Sequence, residues 1–500
     1  MVRKRRVRLV NEAGIIVILY SILAVIIGII TSKYVKTIED FIVAGRKLGP
    51  WLVALSFNST ALSGWLILGV SGWVYRQGYQ AAWTLWGSGA FAVLASYLIL
   101  GKYIRRFSKI TNSLTIPDML EIRYYDQKRH ILRWISAIII FISTVIYIGG
   151  LEATLAKAFK YVFGIGAVES VILGSAVVIV YVLLGGMLAA VWTDVLQGAL
   201  MVITSIMLLI VGFQAGGGLD LFSKVDAMAV KDPNIILTPW QSPSVILYGI
   251  SLILFASILS YMGQPQLLNK FMGARDDPTI RKASLISLIT QIVLFIGVLV
   301  AGFAARVVWP SASMLPNKDT ELAAPFLIEN YAGGIALGIL WAGVLAAVMS
   351  SADSLTIMAT SSIVNDLYYK IFRPNASPKQ LVNLSRIVTL LIGILGIIVA
   401  FQPLLLLWSI WLGWSGLAVF ITLLLPGLFW KRATRESAII ALIVSFIVGM
   451  LWFYFGLQNI LHITMPSLLA GFAIVIIVSY LTKEPPKEIS ELVEKIKRGH

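Results

Sequence analysis

The chain has 500 residues, 58% of them hydrophobic and 13% charged, with a mean hydropathy of +0.88. A water-soluble protein of this length could not keep so little charge at its surface, and repeated apolar runs of 18 or more residues read as membrane-spanning helices. The absence of cysteine excludes a disulfide framework or thiolate metal site, and the net charge of +16 comes with no basic face interleaved with aromatics, so nucleic acid is not an expected partner.

Thirteen spans are expected, at roughly 14–32, 51–74, 80–100, 132–160, 168–189, 192–214, 244–266, 283–307, 328–362, 384–401, 405–429, 437–457 and 464–482. The first run, Ala13 to Thr31, has no small-residue cleavage site and is expected to be a retained helix. The second span holds "FNSTALSGWLILGVSG", where Gly64 and Gly69 with hydroxyls on both sides weaken the helix. The fourth carries Glu152 in "VIYIGGLEATLAKA". The sixth begins with "AVWTDVLQG", whose Asp194 lies near a span end and reads equally as interfacial or functional. An acid within a span is costly unless it faces protein or water, which makes Glu152 the stronger functional candidate.

The connection 215–243 is expected to hold a short covering helix. In the seventh span, "ASILSYMGQPQLLNKF", Gly263 and Pro265 break the hydrogen-bond ladder while Tyr261 and Gln264 supply polar tips. The ninth contains "LAAVMSSADS", with Ala347, Ser350, Ser351 and Ser354 on one helix face. Such a stripe serves close helix packing, the plainer reading on these residues alone, or offers oxygens to a hard cation such as Na⁺. Asp353 beside it could cap or brace neighbouring helices. The tail "KEPPKEISELVEKIKRGH" reads as a short charged helix at a solvated end.

All Lys and Arg fall in loops or at span ends. With the N-terminus outside, the inner loops 33–50, 101–133, 267–282, 363–386 and 430–436 and the tail hold 28 of the 40 cations, as the positive-inside rule requires. The five in "VRKRRVR" are an exception, and an even span count with that segment inside is the alternative. Interruptions in spans two and seven, five apart and starting from opposite sides, are the pattern of an inverted-repeat secondary transporter with its site at the midplane.

The blocks "FIVAGRKLGPWLVALS", "SGWLILG", "LLGGMLAAVWTDVLQGALM", "SYMGQPQLLNKFMGARD" and "LAAVMSSADSL…VNDLY" resemble the sodium/solute symporter family, and within it the sodium/proline branch. The resemblance runs in order from about residue 15 to 482. It implies an all-α polytopic membrane protein of thirteen transmembrane helices with a five-plus-five inverted-repeat, LeuT-like core. Residues 1–482 would form one transmembrane domain, with repeats at about 51–214 and 244–429, and 483–500 a charged cytoplasmic tail. By the same resemblance, Ser59, Leu62, Ala347, Ser350 and Ser351 match the family's sodium site. Ser63, Gly64, Trp65, Tyr147, Tyr261 and Gln264 match its substrate region. Asp194 matches an aspartate that is a candidate for cation handling in some members.

Two positions depart from the proline branch: Ala61 stands where that branch has an aspartate, and Ser257 where it has an aromatic. Glu152, at a position apolar in that branch, is expected either to restore negative charge at the substrate site or to face another helix.

The implied function is Na⁺-coupled symport of a small organic solute, an amino acid such as proline first, with H⁺ coupling or a cationic amine, carboxylate or sugar as alternatives. Na⁺ would be the co-transported ion and no organic cofactor is expected. The expected partners are the solute and the lipid bilayer of the cell membrane, with no obligatory protein partner. A transporter-like membrane sensor is the less favoured alternative: about eighteen residues follow the last span, so a signalling module would be expected only from a separate partner protein. No Cys is present and His130, His462 and His500 are placed in loops or the tail, so no intramembrane enzyme is expected. No filter-like repeat suggests a channel.

Overall fold

A bilayer core has no water to satisfy backbone N–H and C=O groups, so an apolar chain that enters it must close its hydrogen bonds locally, as helix. The computed structural model describes residues 2–32, 38–230, 242–401 and 406–499. Among these, eleven helices are long and apolar enough to cross a membrane: Pro50–Gln77 (α2), Tyr79–Thr111 (α3), Ile131–Phe163 (α4), Ala190–Gly216 (α6), Pro243–Gly263 (α7), Asp277–Val308 (α8), Gly334–Phe372 (α9), Pro378–Ala400 (α10), Ser409–Phe429 (α11), Arg435–Tyr454 (α12) and Thr464–Leu481 (α13). Two shorter apolar helices, Asn11–Ile27 (α1) and Ala167–Val177 (α5), coincide with two further expected spans. Gly174 lies against Leu155 late in α4, Asp194 against Ser56 early in α2, and Gly212 against Val300 late in α8. The chain from α5 through α6 therefore traverses the bundle and returns.

Burial sorts the helices into centre and rim. The most apolar window of α2 is 89% buried, against 33% for α10, α12 and α13. That fits their sequences: α2 and α9 carry small and hydroxylated residues that allow close approach, whereas α10 shows Ile387, Leu391 and Ile398 outward.

One end of the bundle is basic and heavily cross-tied. Arg133 at the start of α4 pairs with Asp118 (2.7 Å), Glu121 and Asp366 (3.0 Å), so the short helix Ile116–Arg123 is pinned to α4 and to the end of α9. Burial alone would raise the Asp118 carboxyl, but Lys370 and Arg133 beside it hold it below the usual carboxylate range. The expected tail helix is present at Lys487–Arg498 (α14), but it is docked rather than free in solvent. Ile489, Val493 and Ile496 are buried, and Arg106 donates to the carbonyls of Ile496 and Lys497. An amphipathic face with three apolar residues one turn apart gains more by packing than by solvation. At the opposite end, helix Asp220–Ala229 is the covering helix expected after α6; the rest of that connection, 231–241, lies outside the described residues.

Candidate functional site

Both expected interruptions exist. In α2 the helix breaks at Ser63, with φ +37° and ψ −175°, and resumes as a wider turn over Trp65–Val70. A left-handed φ on a non-glycine residue is strained and persists only where the surroundings impose it. Gly64 follows because α4 and α9 close on the backbone there: a Cβ would meet Thr154 Cγ2 at 2.7 Å and Val348 Cγ2 at 2.8 Å. In α7 the break is at Gln264, extended at φ −78° and ψ 108°, with Pro265 starting the short helix Pro265–Met272. Gln264 Nε2 donates to the Trp414 carbonyl (2.9 Å) and Gln264 Oε1 accepts from Gln266 Nε2 (2.8 Å), so its amide braces the break.

A cavity lies between the two breaks, lined by residues of both broken helices. Of the expected substrate residues, Ser63, Trp65, Tyr147, Ser257 and Tyr261 line it; Gly64 sits at the break beside it. Glu152 and Gln264 are not among its lining residues. Tyr261 packs edge-on to Trp414 at 5.1 Å, Tyr147 to the same ring at 6.4 Å, and Ser257 Oγ meets Ser88 Oγ at 3.0 Å. The departures Ala61 and Ser257 both belong to this wall, and no Asp, Glu, Lys or Arg among the described residues does. Above it Trp73 and Trp411 form a throat shared with a wide vestibule bearing Arg76, Lys157, Asp319 and Glu321.

Glu152 turns the other way. It is buried against α10, where a Cβ on Gly396 would come within 3.0 Å of Oε2, and neither carboxyl oxygen meets a hydrogen-bond partner among the described residues. The expectation that Glu152 replaces charge in the substrate cavity does not hold geometrically; its helical phase, five residues on from Tyr147, carries it to another face.

On the other side of the α2 break, oxygens from α2 and α9 converge. Ser350 Oγ donates to the Ser59 carbonyl (2.9 Å) and the Ala347 carbonyl (3.1 Å). Ser351 Oγ donates to the Thr60 carbonyl (2.9 Å) and the Ala347 carbonyl (3.2 Å). Four of the five expected sodium ligands thus lie within hydrogen-bond reach of one another, and the Leu62 carbonyl, at the break, accepts from Trp65 N–H. Neutral carbonyls and hydroxyls, with no group of three His, Cys, Asp or Glu among the described residues, suit a hard monovalent cation that must leave again.

Asp194 lies just beyond, enclosed in protein rather than exposed at a helix end. It is fully buried, accepts from Ser56 Oγ (2.5 Å), and forms an ion pair with Lys270 (3.1 Å), which is itself fully buried and donates to Ser354 Oγ (3.0 Å). Thr60 Oγ1 lies 3.0 Å from Ser354 Oγ and so links this pair to the oxygen cluster. The sequence reading places Lys270 in a loop, because Pro265 reads as the end of a span; in the structure Pro265 instead starts a buried turn. His462, also placed in a loop by its sequence, lines the cavity and lies over Trp411 with ring centroids 4.8 Å apart. Nothing local in the sequence marks either residue; each owes its role to a partner distant in the chain.

The profile of the sodium:solute symporter family matches residues 41–445. A high-affinity proline transporter of Bacillus subtilis, PutP, is 31% identical over 93% of this chain and 97% of its own length. The sodium/proline symporter of Escherichia coli is 30% identical over 92% of this chain and 91% of its own. In three dimensions the chain is similar to a Na⁺-coupled sialic acid symporter, with TM-score 0.76 at 19% identity, covering 95% of this chain and 98% of that one. It is less similar to MhsT, with TM-score 0.51 at 14% identity over 86% and 98%. The all-helical bundle with two broken helices therefore has the LeuT-like transporter fold. Given the family profile and these full-length relatives, the chain belongs to the sodium:solute symporter family.

Proposed function

We propose that the protein is a plasma-membrane symporter that carries one small amino acid, proline first, inward with Na⁺ by alternating access. The observation that supports this reading is that one helix break borders both the oxygen cluster and the cavity. Ser59 and Thr60 present carbonyls to the hydroxyls of Ser350 and Ser351, with the Ala347 carbonyl beside them and Leu62 at the break itself, while Ala61, Ser63 and Trp65 face the cavity. Each ligand then favours the conformation that suits the other, which is what coupling means thermodynamically. One Na⁺ entering across 100 mV supplies roughly 2.3 kcal/mol, enough for about fifty-fold accumulation before its concentration gradient is added.

The names of the relatives support proline, and the uncharged, aromatic cavity suits a compact zwitterion better than a cationic amine. Ala61 and Ser257 leave room for a somewhat larger solute. The topology we propose is thirteen crossings with the N-terminus outside, the basic end cytoplasmic, and α2–α6 and α7–α11 as inverted repeats. Asp194 is proposed to receive the cation on its inward path. Counterflow in proteoliposomes with a panel of amino acids, carboxylates and sugars, each with and without a Na⁺ gradient, tests the reading. Proline uptake that rises with the Na⁺ gradient is expected; uptake indifferent to Na⁺ but driven by a pH gradient would overturn it.

A further inference from the structure

The cavity wall has one contributor from outside the helices so far linked to transport. His462 sits in the connection between α12 and α13, at the throat where cavity and vestibule share Trp73 and Trp411. Its backbone N–H donates to Ser251 Oγ of α7 (3.3 Å), and its ring lies over Trp411 of α11, so the residue is clamped between two helices of the central bundle. The two ring nitrogens are not equivalent. Nδ1 accepts the Thr464 backbone N–H (3.3 Å) and lies 2.8 Å from Thr464 Oγ1. A backbone N–H can only donate, so Nδ1 carries the lone pair and the proton sits on Nε2. Burial favours the neutral ring, pushing its pKa down to about 3. No described group bonds Nε2, although the other polar edge of the ring is fully engaged.

A second donor on the same wall is equally unmatched: Trp65 Nε1 is buried with no hydrogen-bond partner among the described residues. Apart from the engaged Nδ1, the side-chain acceptors of the wall are hydroxyls, which can donate as well as accept. Two unpaired N–H donors in a cavity without Lys or Arg complement a ligand end that is rich in acceptors.

We infer that His462 is a solute-recognition residue, its Nε2–H donating to the carboxylate of the transported molecule, with Trp65 Nε1–H as the companion donor. This rests on the amino-acid reading above and adds which end of the solute meets the throat. A pair of rim helices thereby takes part in specificity through a single side chain, without contributing to the ion site.

Two variants separate the hydrogen bond from packing. Phe in H462F keeps a ring against Trp411 but has no donor, whereas the amide N–H of Gln in H462Q can reproduce the Nε2–H. Uptake of L-proline and its inhibition by prolinamide, which lacks the carboxylate, are measured in proteoliposomes at saturating Na⁺, and the Na⁺ half-saturation is measured separately. A hydrogen bond to a charged group corresponds to roughly ten- to hundred-fold in affinity. H462F is therefore expected to raise the KM for proline at least about ten-fold, to erase most of the preference for proline over prolinamide, and to leave Na⁺ half-saturation within about two-fold. H462Q is expected to restore most of the loss. An unchanged KM in H462F, or H462Q as impaired as H462F, would overturn the inference. Failure of the wild type to take up proline would instead sink the proline reading. The same comparison would then use the solute found by counterflow, and a solute without a carboxylate would overturn this inference as well.

Discussion

Removing the Lys270 ammonium is the sharpest perturbation of this structure. The pair with Asp194 is 3.1 Å long and both side chains are wholly buried. At an effective dielectric constant near 20 the Coulomb attraction at that distance is about 5 kcal/mol. The net worth of the pair is smaller, because both charges were taken out of water. Lys270→Met deletes one partner and leaves a carboxylate with Ser56 Oγ still bonded to Oδ2 and no partner on Oδ1. The expected destabilisation is therefore about 3–5 kcal/mol, the range for an ion pair broken on one side in a protein interior. Lys270→Met combined with Asp194→Asn removes both charges and is expected to recover most of that loss.

The assay is a double-mutant cycle read by thermal unfolding of purified protein in one detergent, with denaturant titration as a second readout. A coupling energy of about 2 kcal/mol or more is the expected result. If Lys270→Met costs under about 1 kcal/mol, or if the double variant is no better than the single one, the pair is not desolvated as described and the reasoning fails.

Ser350→Ala with Ser351→Ala removes two hydroxyls that reach the Ser59, Thr60 and Ala347 carbonyls; Na⁺ half-saturation for uptake should rise about ten-fold or more, and an unchanged value would return the stripe to a packing role. Gly64→Ala drives a methyl into Thr154 and Val348, so a loss of about 1–3 kcal/mol in stability together with a fall in uptake rate is expected. Trimming one obstacle, with Thr154→Ser, should restore part of it. Glu152→Gln changes a side chain that lies outside the cavity and whose carboxyl lacks hydrogen bonds; solute preference and Na⁺ dependence should stay unchanged while stability rises by about 1 kcal/mol. A shift in solute preference would show that Glu152 reaches the substrate after all.

The broken helices are legible in the sequence because their signals are local. Gly64 and Pro265 act on their own backbone, and hydroxyl-rich segments are costly in hydrocarbon unless they face protein or a polar cavity. The oxygen cluster is half legible: helical phase puts Ala347, Ser350 and Ser351 on one face, but only packing brings the α2 carbonyls to meet them. Lys270 and His462 escape a sequence reading for one shared reason. A cation or imidazole near a span end looks solvated unless its partner is known, and Asp194 lies 76 residues from Lys270 in sequence. For Glu152, rarity in a span points to function, but only the facing helix decides what an acid touches. It faces Gly396.

The break at Ser63 also sets a scale for coupling. Its positive φ places a non-glycine residue in a sparsely populated region, at a strain of order 1–3 kcal/mol that neighbouring contacts must hold in place. The oxygen cluster, the proposed ion site, grips the backbone just before the break, through the Ser59 and Thr60 carbonyls bonded to Ser350 and Ser351. The cavity grips it just after, through Trp65. Whichever ligand binds first meets the cost of ordering this segment, and the second does not. The mutual gain is then of the size of the strain itself, about five- to hundred-fold in affinity, and linkage makes it the same in both directions. A tethered cation at Lys270 cannot supply that gain, because its ammonium is covalently held, bonds Asp194 and Ser354, and does not enter or leave with the solute. The ion that couples must be one that comes and goes, which is the reason for proposing the neutral oxygens of α2 and α9, rather than the buried carboxylate, as its place.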